Sequence, residues 1–183
     1  MATWTLSGSG TNFGQNWVYG TSGQGGGLIV GSASSEPSDF IGSTLNSVSY
    51  RMSNAVNPSP AVDTYCKVYN SSGTVVATSN ATSSDNFSTS ESDMLYTFSA
   101  PYHTIASGDR IVIWLPNNTT VGASNDWLQY CNSSNGTAYA TFTETPLSFN
   151  TRSGRCPNCT ITYGGSAPPS SDSVLLPPPV AWI

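Results

Sequence analysis

Residues 61–79 read AVDTYCKVYNSSGTVVATS. Val62, Cys66 and Val68 fall on one side of a period-two pattern; Asp63, Tyr65, Lys67 and Tyr69 fall on the other. A helix cannot carry this alternation, because its side chains return to one face about every 3.6 residues. Asn-Ser-Ser-Gly at 70–73 supplies turn chemistry, and residues 74–79, TVVATS, bring the chain back. The stretch predicts a β-hairpin.

Working outward, the same signature recurs. RIVIWLP at 110–116 is the strongest strand, with Ile111, Ile113 and Leu115 pointing to a core. Met94, Tyr96 and Phe98 share one face of MLYTF, and Val48, Tyr50 and Met52 share one face of LNSVSYRM. DWLQYC (126–131), TAYATFT (137–143), LSF (147–149) and TITY (160–163) complete the set, while NATSSDNFSTSESD (80–93) reads as a polar loop. QGGGLIVG reads as a flexible turn leading into a strand. Nine to eleven short strands and no helix define an all-β chain, a two-sheet antiparallel β-sandwich of jelly-roll type with extended N- and C-terminal arms. Residues 1–35 form a Gly-rich arm or the first strands, 36–163 the sandwich, and 164–183 a Pro-rich linker and apolar tail.

Composition narrows the function. Only 8% of the 183 residues are charged, and Ser, Thr, Asn and Gly keep the surface wet instead. Five scattered Lys/Arg against a net charge of −5 provide no stripe to neutralise phosphates, so nucleic acid is excluded as a partner. No apolar run approaches the ~18 residues of a membrane span, and MATWTLSGSG lacks the basic and apolar regions of a signal peptide. The expectation is a protein of the virion surface, carried outside as part of a particle, or of the extracellular or cell surface.

The segments LNSVSYRM, AVDTYCKVYNSSGTVVATS and YTFSAPYHTIASGDRIVIWL carry a resemblance. Val68, Tyr69 and Gly73, followed by Phe98, Pro101, Ile105, Gly108 and Asp109, stand in the order of a strand-turn and a later F-x-x-P and G-D pair. This resembles β-sandwich modules of virion and microbial surface proteins, many of them similar to carbohydrate-binding jelly rolls. The resemblance covers about a third of the chain and implies a fold and a binding or structural role, with no catalytic residue.

Candidate chemistry follows from the side chains. His103 is the only histidine, and no Gly-x-Ser-x-Gly elbow accompanies it, so a Ser-His-Asp hydrolase is not expected. Asp109, in a Ser-Gly-Asp turn, is expected to cap its own backbone. A glycosidase would draw on an acid pair such as Asp109 and Glu144 and ranks well below the non-enzymatic readings. Asp85, Glu91 and Asp93 form a hard-oxygen set suited to a structural calcium, the one cofactor considered. Four cysteines favour the disulfides Cys66–Cys131 and Cys156–Cys159, with free thiols the alternative in a reducing compartment. Sequons for N-glycosylation occur at Asn70, Asn80, Asn86, Asn117, Asn118, Asn132, Asn135 and Asn158. For stacking sugar rings, Trp17, Tyr19, Tyr102, Trp114 and Trp127 are candidates, with Gln129 beside Trp127 to reach hydroxyls.

The tail VLLPPPVAWI poses a packing question. Pro177, Pro178 and Pro179 hold it extended, so Leu175, Leu176, Val180, Trp182 and Ile183 cannot bury one another. They are expected to dock on a neighbour, after a flexible GGSAPPSSDS linker. The functional expectation is a non-enzymatic structural protein, a capsid decoration or surface subunit. Its partners are copies of itself, other capsid or surface-layer proteins, and glycans. The alternatives are a carbohydrate-binding or adhesion module and a subunit of a glycosylated microbial surface filament or layer.

Overall fold

The computed structural model describes residues 1–6, 13–18, 24–54, 61–86, 92–116, 126–132, 138–144, 147–152 and 154–165. These form fourteen strands and one 3₁₀ turn, Ser84–Asn86. The strands are β1 Ala2–Leu6, β2 Phe13–Val18, β3 Gln24–Ile29, β4 Leu45–Asn54, β5 Asp63–Tyr69, β6 Val75–Thr78 and β7 Thr82–Ser83. They continue as β8 Ser92–Thr97, β9 Arg110–Leu115, β10 Asp126–Asn132, β11 Tyr139–Glu144, β12 Leu147–Arg152, β13 Cys156–Pro157 and β14 Cys159–Tyr163. The first sheet runs β1-β14-β4-β10-β13, with β8 on β4 and β2 on β10; the second runs β12-β11-β3-β9-β5-β6, with β7 on β5. Every pairing is antiparallel, and the two sheets make a β-sandwich.

The alternation read from the sequence sets the core. Val48, Tyr50, Met52, Tyr96 and Ile161 from the first sheet meet Leu28, Cys66, Val68, Ile111 and Ile113 from the second, all fully buried. At roughly 25 cal/mol per Å² of apolar surface, this burial is the main force holding the sheets face to face. Segment 79–84 joins them along one side. Ser79 N–H donates to Cys66 O of the second sheet, and Asn80 N–H donates to Thr97 O of the first. The Thr82 hydroxyl donates to Leu95 O, while the Thr64 hydroxyl donates to Thr82 O.

Of the two readings of residues 1–35, first strands describes 2–6 and 24–29: β1 pairs β14, and β3 lies between β11 and β9 inside the second sheet. Two expectations need correction. Gly25–Gly27 are not a turn but strand. The Tyr50 hydroxyl crosses the core to donate to Ile111 O and accept from Leu28 N–H at 3.3 Å. A Cβ on Gly27 would lie 2.1 Å from Ile111 O and 2.6 Å from that hydroxyl, so glycine is there for close approach. The polar stretch 80–93 is likewise not a plain loop, since it holds β7, the 3₁₀ turn and the start of β8. Among the described residues, no helix is long and apolar enough to cross a membrane.

Candidate functional site

The outward row of the opening hairpin builds the most developed surface. On β5, Tyr65, Lys67 and Tyr69 stand opposite Trp114, Val112 and Arg110 of β9. Directly opposed residues share a sheet face. The Tyr65 and Trp114 rings lie 5.8 Å apart, and Lys67 Nζ sits 3.7 Å from the Trp114 ring centroid. Such a cation over an indole face contributes about 0.5–1 kcal/mol when exposed and more when dry. Val75 of β6 is opposite Tyr69 and extends the row.

Strand β12 closes over this row. In ladder order it is four steps from β5, about 19 Å across a flat sheet at ~4.8 Å per step. Yet the Phe149 ring lies 5.2 Å from Tyr69 in an edge-to-face contact, and Arg110 stands 4.5 Å above the same ring. The sheet is therefore rolled, and β12 covers part of its outer face. Beneath it Tyr69 and Val112 are buried, a cluster separate from the main core, with Trp114 and Phe149 packed against them. Val75 and Leu147 remain 42% and 44% exposed.

The turn at 70–73 fixes one end. Asn70 Oδ1 accepts from the N–H groups of Ser72 (3.1 Å) and Thr74 (2.9 Å), and Gly73 takes φ +84°, the left-handed region that glycine enters without strain. The Arg110 guanidinium donates to Asn70 O and Ser71 O, tying the turn to β9.

A second polar centre lies in the loop before β9. Asp109, 2% exposed, accepts from Ala106 N–H at 2.9 Å, the self-capping expected of its turn. Its Oδ2 also meets His103 Nε2 at 2.7 Å. This pair holds the loop; no nucleophilic side chain bonds to the imidazole among the described contacts.

The glycan candidates do not converge. Trp127 pairs with Trp17 and Gln129 with Gln15 in the β10–β2 ladder, at the Asn54 end of β4. Tyr102, 40% exposed, is next to His103, whose carbonyl accepts from Leu45 N–H at the other end. The ten residues of β4 separate them by about 30 Å. Tyr19 and the tail residues Leu175, Leu176, Pro177, Pro178, Pro179, Val180, Trp182 and Ile183 lie outside the described residues.

Neither expected disulfide is formed: Cys66 and Cys159 are free, buried thiols, and Cys156 is buried as well. Cys66 is on the second sheet, whereas Cys131 lies in the first, opposite Pro157. Burial pushes the Cys66 thiol up, and burial with Cys156 and Cys66 nearby pushes Cys159 up as well. Both are held protonated, and only the thiolate attacks a sulfur.

Of the calcium set, Asp85 and Asp93 are described. Asp93 is opposite Arg51 and pairs with its guanidinium at 3.3 Å, Asp85 is exposed in the 3₁₀ turn, and Glu91 lies outside the described residues. Among the described residues, no group of three or more His, Cys, Asp or Glu could hold a metal ion. Of the sequons, Asn80 is engaged, its Nδ2 donating to the Thr97 hydroxyl, and Asn86 is exposed. Asn158 is buried and Asn132 is in β10; Asn117, Asn118 and Asn135 lie outside the described residues.

No protein-family model matches the chain, and neither does any curated protein or solved structure.

Proposed function

We propose that the protein is a non-enzymatic structural subunit of an extracellular assembly, a virion decoration protein or a surface-layer component. Its sandwich is the rigid body, and its contacts with neighbours are apolar. The observation that carries this reading is the rolled outer face of the second sheet, where Val75 and Leu147 stay more than 40% exposed around aromatic rings. Exposed apolar patches rimmed by polar residues mark association surfaces. Here only 8% of residues are charged, so little repulsion opposes association. Light scattering of the full chain over a concentration series tests it. A mass that rises to a discrete assembly supports the reading, and a monomer throughout refutes it for self-association.

A second reading, a carbohydrate-binding or adhesion module, is favoured by one separate observation. The β10–β2 register pairs Trp127 with Trp17 and Gln129 with Gln15, residue types that sugar-binding surfaces use for rings and hydroxyls. A glycan array probed with wild type and Trp127→Ala separates it from the first reading.

A further inference from the structure

We propose that Asn70, at the tip of the β5–β6 hairpin, is the folded chain's acceptor for an N-linked sugar delivered by a nucleoside-diphosphate sugar. The inference is independent of the assembly reading, and its test does not measure association.

Asn-x-Ser/Thr recurs along this chain, so the motif alone selects nothing. A transferase that meets an unfolded chain sees every sequon alike; transfer to the folded chain depends on what each amide touches. Asn80 is engaged at both ends, Nδ2 donating to the Thr97 hydroxyl at 3.1 Å and Oδ1 accepting from the Ser99 hydroxyl at 3.2 Å. Asn158 is buried, and Asn132 stands in the β10–β13 ladder. Asn86 is exposed, but Ser88, which completes its sequon, lies outside the described residues.

Asn70 differs. Its backbone N–H donates to Thr74 O, its carbonyl accepts from Gly73 N–H and the Arg110 guanidinium, and its Oδ1 accepts from the N–H groups of Ser72 and Thr74. Nδ2 is the one polar atom of the residue outside these bonds. The turn therefore fixes the amide and leaves its nitrogen open to reaction. Ser71 and Ser72 are exposed, so the hydroxyl that completes the sequon is accessible beside it. The two bonds to Oδ1 draw charge onto the oxygen and make the amide protons easier to lose. In the transfer, Nδ2 attacks the anomeric carbon of the donor. An N–C bond forms, the C–O bond to the diphosphate breaks with its electron pair leaving on the nucleoside diphosphate, and one amide proton passes to a base of the transferase.

Native full-length protein is incubated with UDP-glucose and a soluble N-glycosyltransferase specific for Asn-x-Ser/Thr, and hexose at each sequon is followed by peptide mass spectrometry. Each rate is divided by that of a free peptide carrying the same sequon, which removes the enzyme's own sequence preference. The ratio at Asn70 should exceed those at Asn80 and Asn158 by about tenfold or more, because there a bond must break or a buried amide must open first. A smaller difference, or one in the opposite direction, overturns the proposal. Ser72→Ala removes the sequon's hydroxyl but keeps the N–H that Asn70 Oδ1 accepts, and an unchanged thermal midpoint checks that the turn survives. Transfer at Asn70 should cease in this variant; persistence would mean that the nitrogen is not modified as part of a sequon and counts against the proposal.

Discussion

At the scale of single residues, the Tyr50 hydroxyl is the most consequential polar group in the core. It reaches from the first sheet into the ladder between β3 and β9, meeting Ile111 O and Leu28 N–H. Tyr50→Phe leaves those two backbone groups without that partner. It should cost about 1–3 kcal/mol, the usual penalty for a buried group left unsatisfied. The measurement is the urea midpoint, which should fall while the slope stays constant. Gly27→Ala should be worse, because the new Cβ meets backbone at 2.1 Å as well as the hydroxyl. Combining it with Tyr50→Phe should not rescue stability, since the Ile111 carbonyl remains in place; full rescue would mean that the hydroxyl alone requires the glycine. Neither residue's role is legible in the sequence. Tyr50 reads as one more core residue of an alternating strand, and three glycines read as a turn, because a contact between positions 27 and 50 leaves no local pattern.

At the scale of elements, local pattern was sufficient wherever a strand has one wet and one dry face. The 61–69 alternation places Cys66 and Val68 inward and Tyr65 and Lys67 outward, as the structure has them. Asn70 then fixes the turn through two backbone N–H groups. Asn70→Ala should cost about 1–2 kcal/mol and shift the thermal midpoint down. Rolling of the second sheet was not legible, because it depends on Phe149 finding Tyr69 across the outer face. LSF at 147–149 carries no signal of which neighbour its ring will meet. That is also why the candidate site was only half found: Trp114 stands out as an aromatic on a strong strand, but Tyr65, Tyr69 and Phe149 become a site only once the sheet rolls. Phe149→Ala should unroll β12. Hydrogen exchange should then accelerate at the amides of 147–152 and 70–74 while β4 and β14 stay protected. Equal acceleration in both sheets would mean that Phe149 supports the whole core rather than one edge.

At the scale of the whole molecule, the two sheets have no independent existence. Tyr50 ties the first to the second through the core, and segment 79–84 ties them along one side. The thiols are built-in reporters of this, since Cys66 belongs to the second sheet and Cys159 to the first. Both should resist iodoacetamide in the native protein. In a denaturant series they should become reactive together, at the midpoint seen by tryptophan fluorescence, as a single cooperative transition requires. Earlier reaction of Cys66 than of Cys159 would mean that the second sheet opens first. The same thiols set an alkaline limit. Burial raises Cys66 and Cys159 above the ordinary thiol range, so in the folded chain they keep their protons where the unfolded chain loses them. A group whose folded pKa is raised contributes fully below its unfolded value and loses that contribution as pH rises. Stability should therefore hold to about pH 8.5, the free-thiol value, and decline above it. Cys66→Ala removes one of those ionisations but opens a small cavity, so it should lower the midpoint at pH 7 and flatten its decline between about pH 8.5 and 10. A decline as steep as that of the wild type would place the alkaline sensitivity elsewhere. The buried Tyr96 hydroxyl, also raised by burial, is the next group able to impose one.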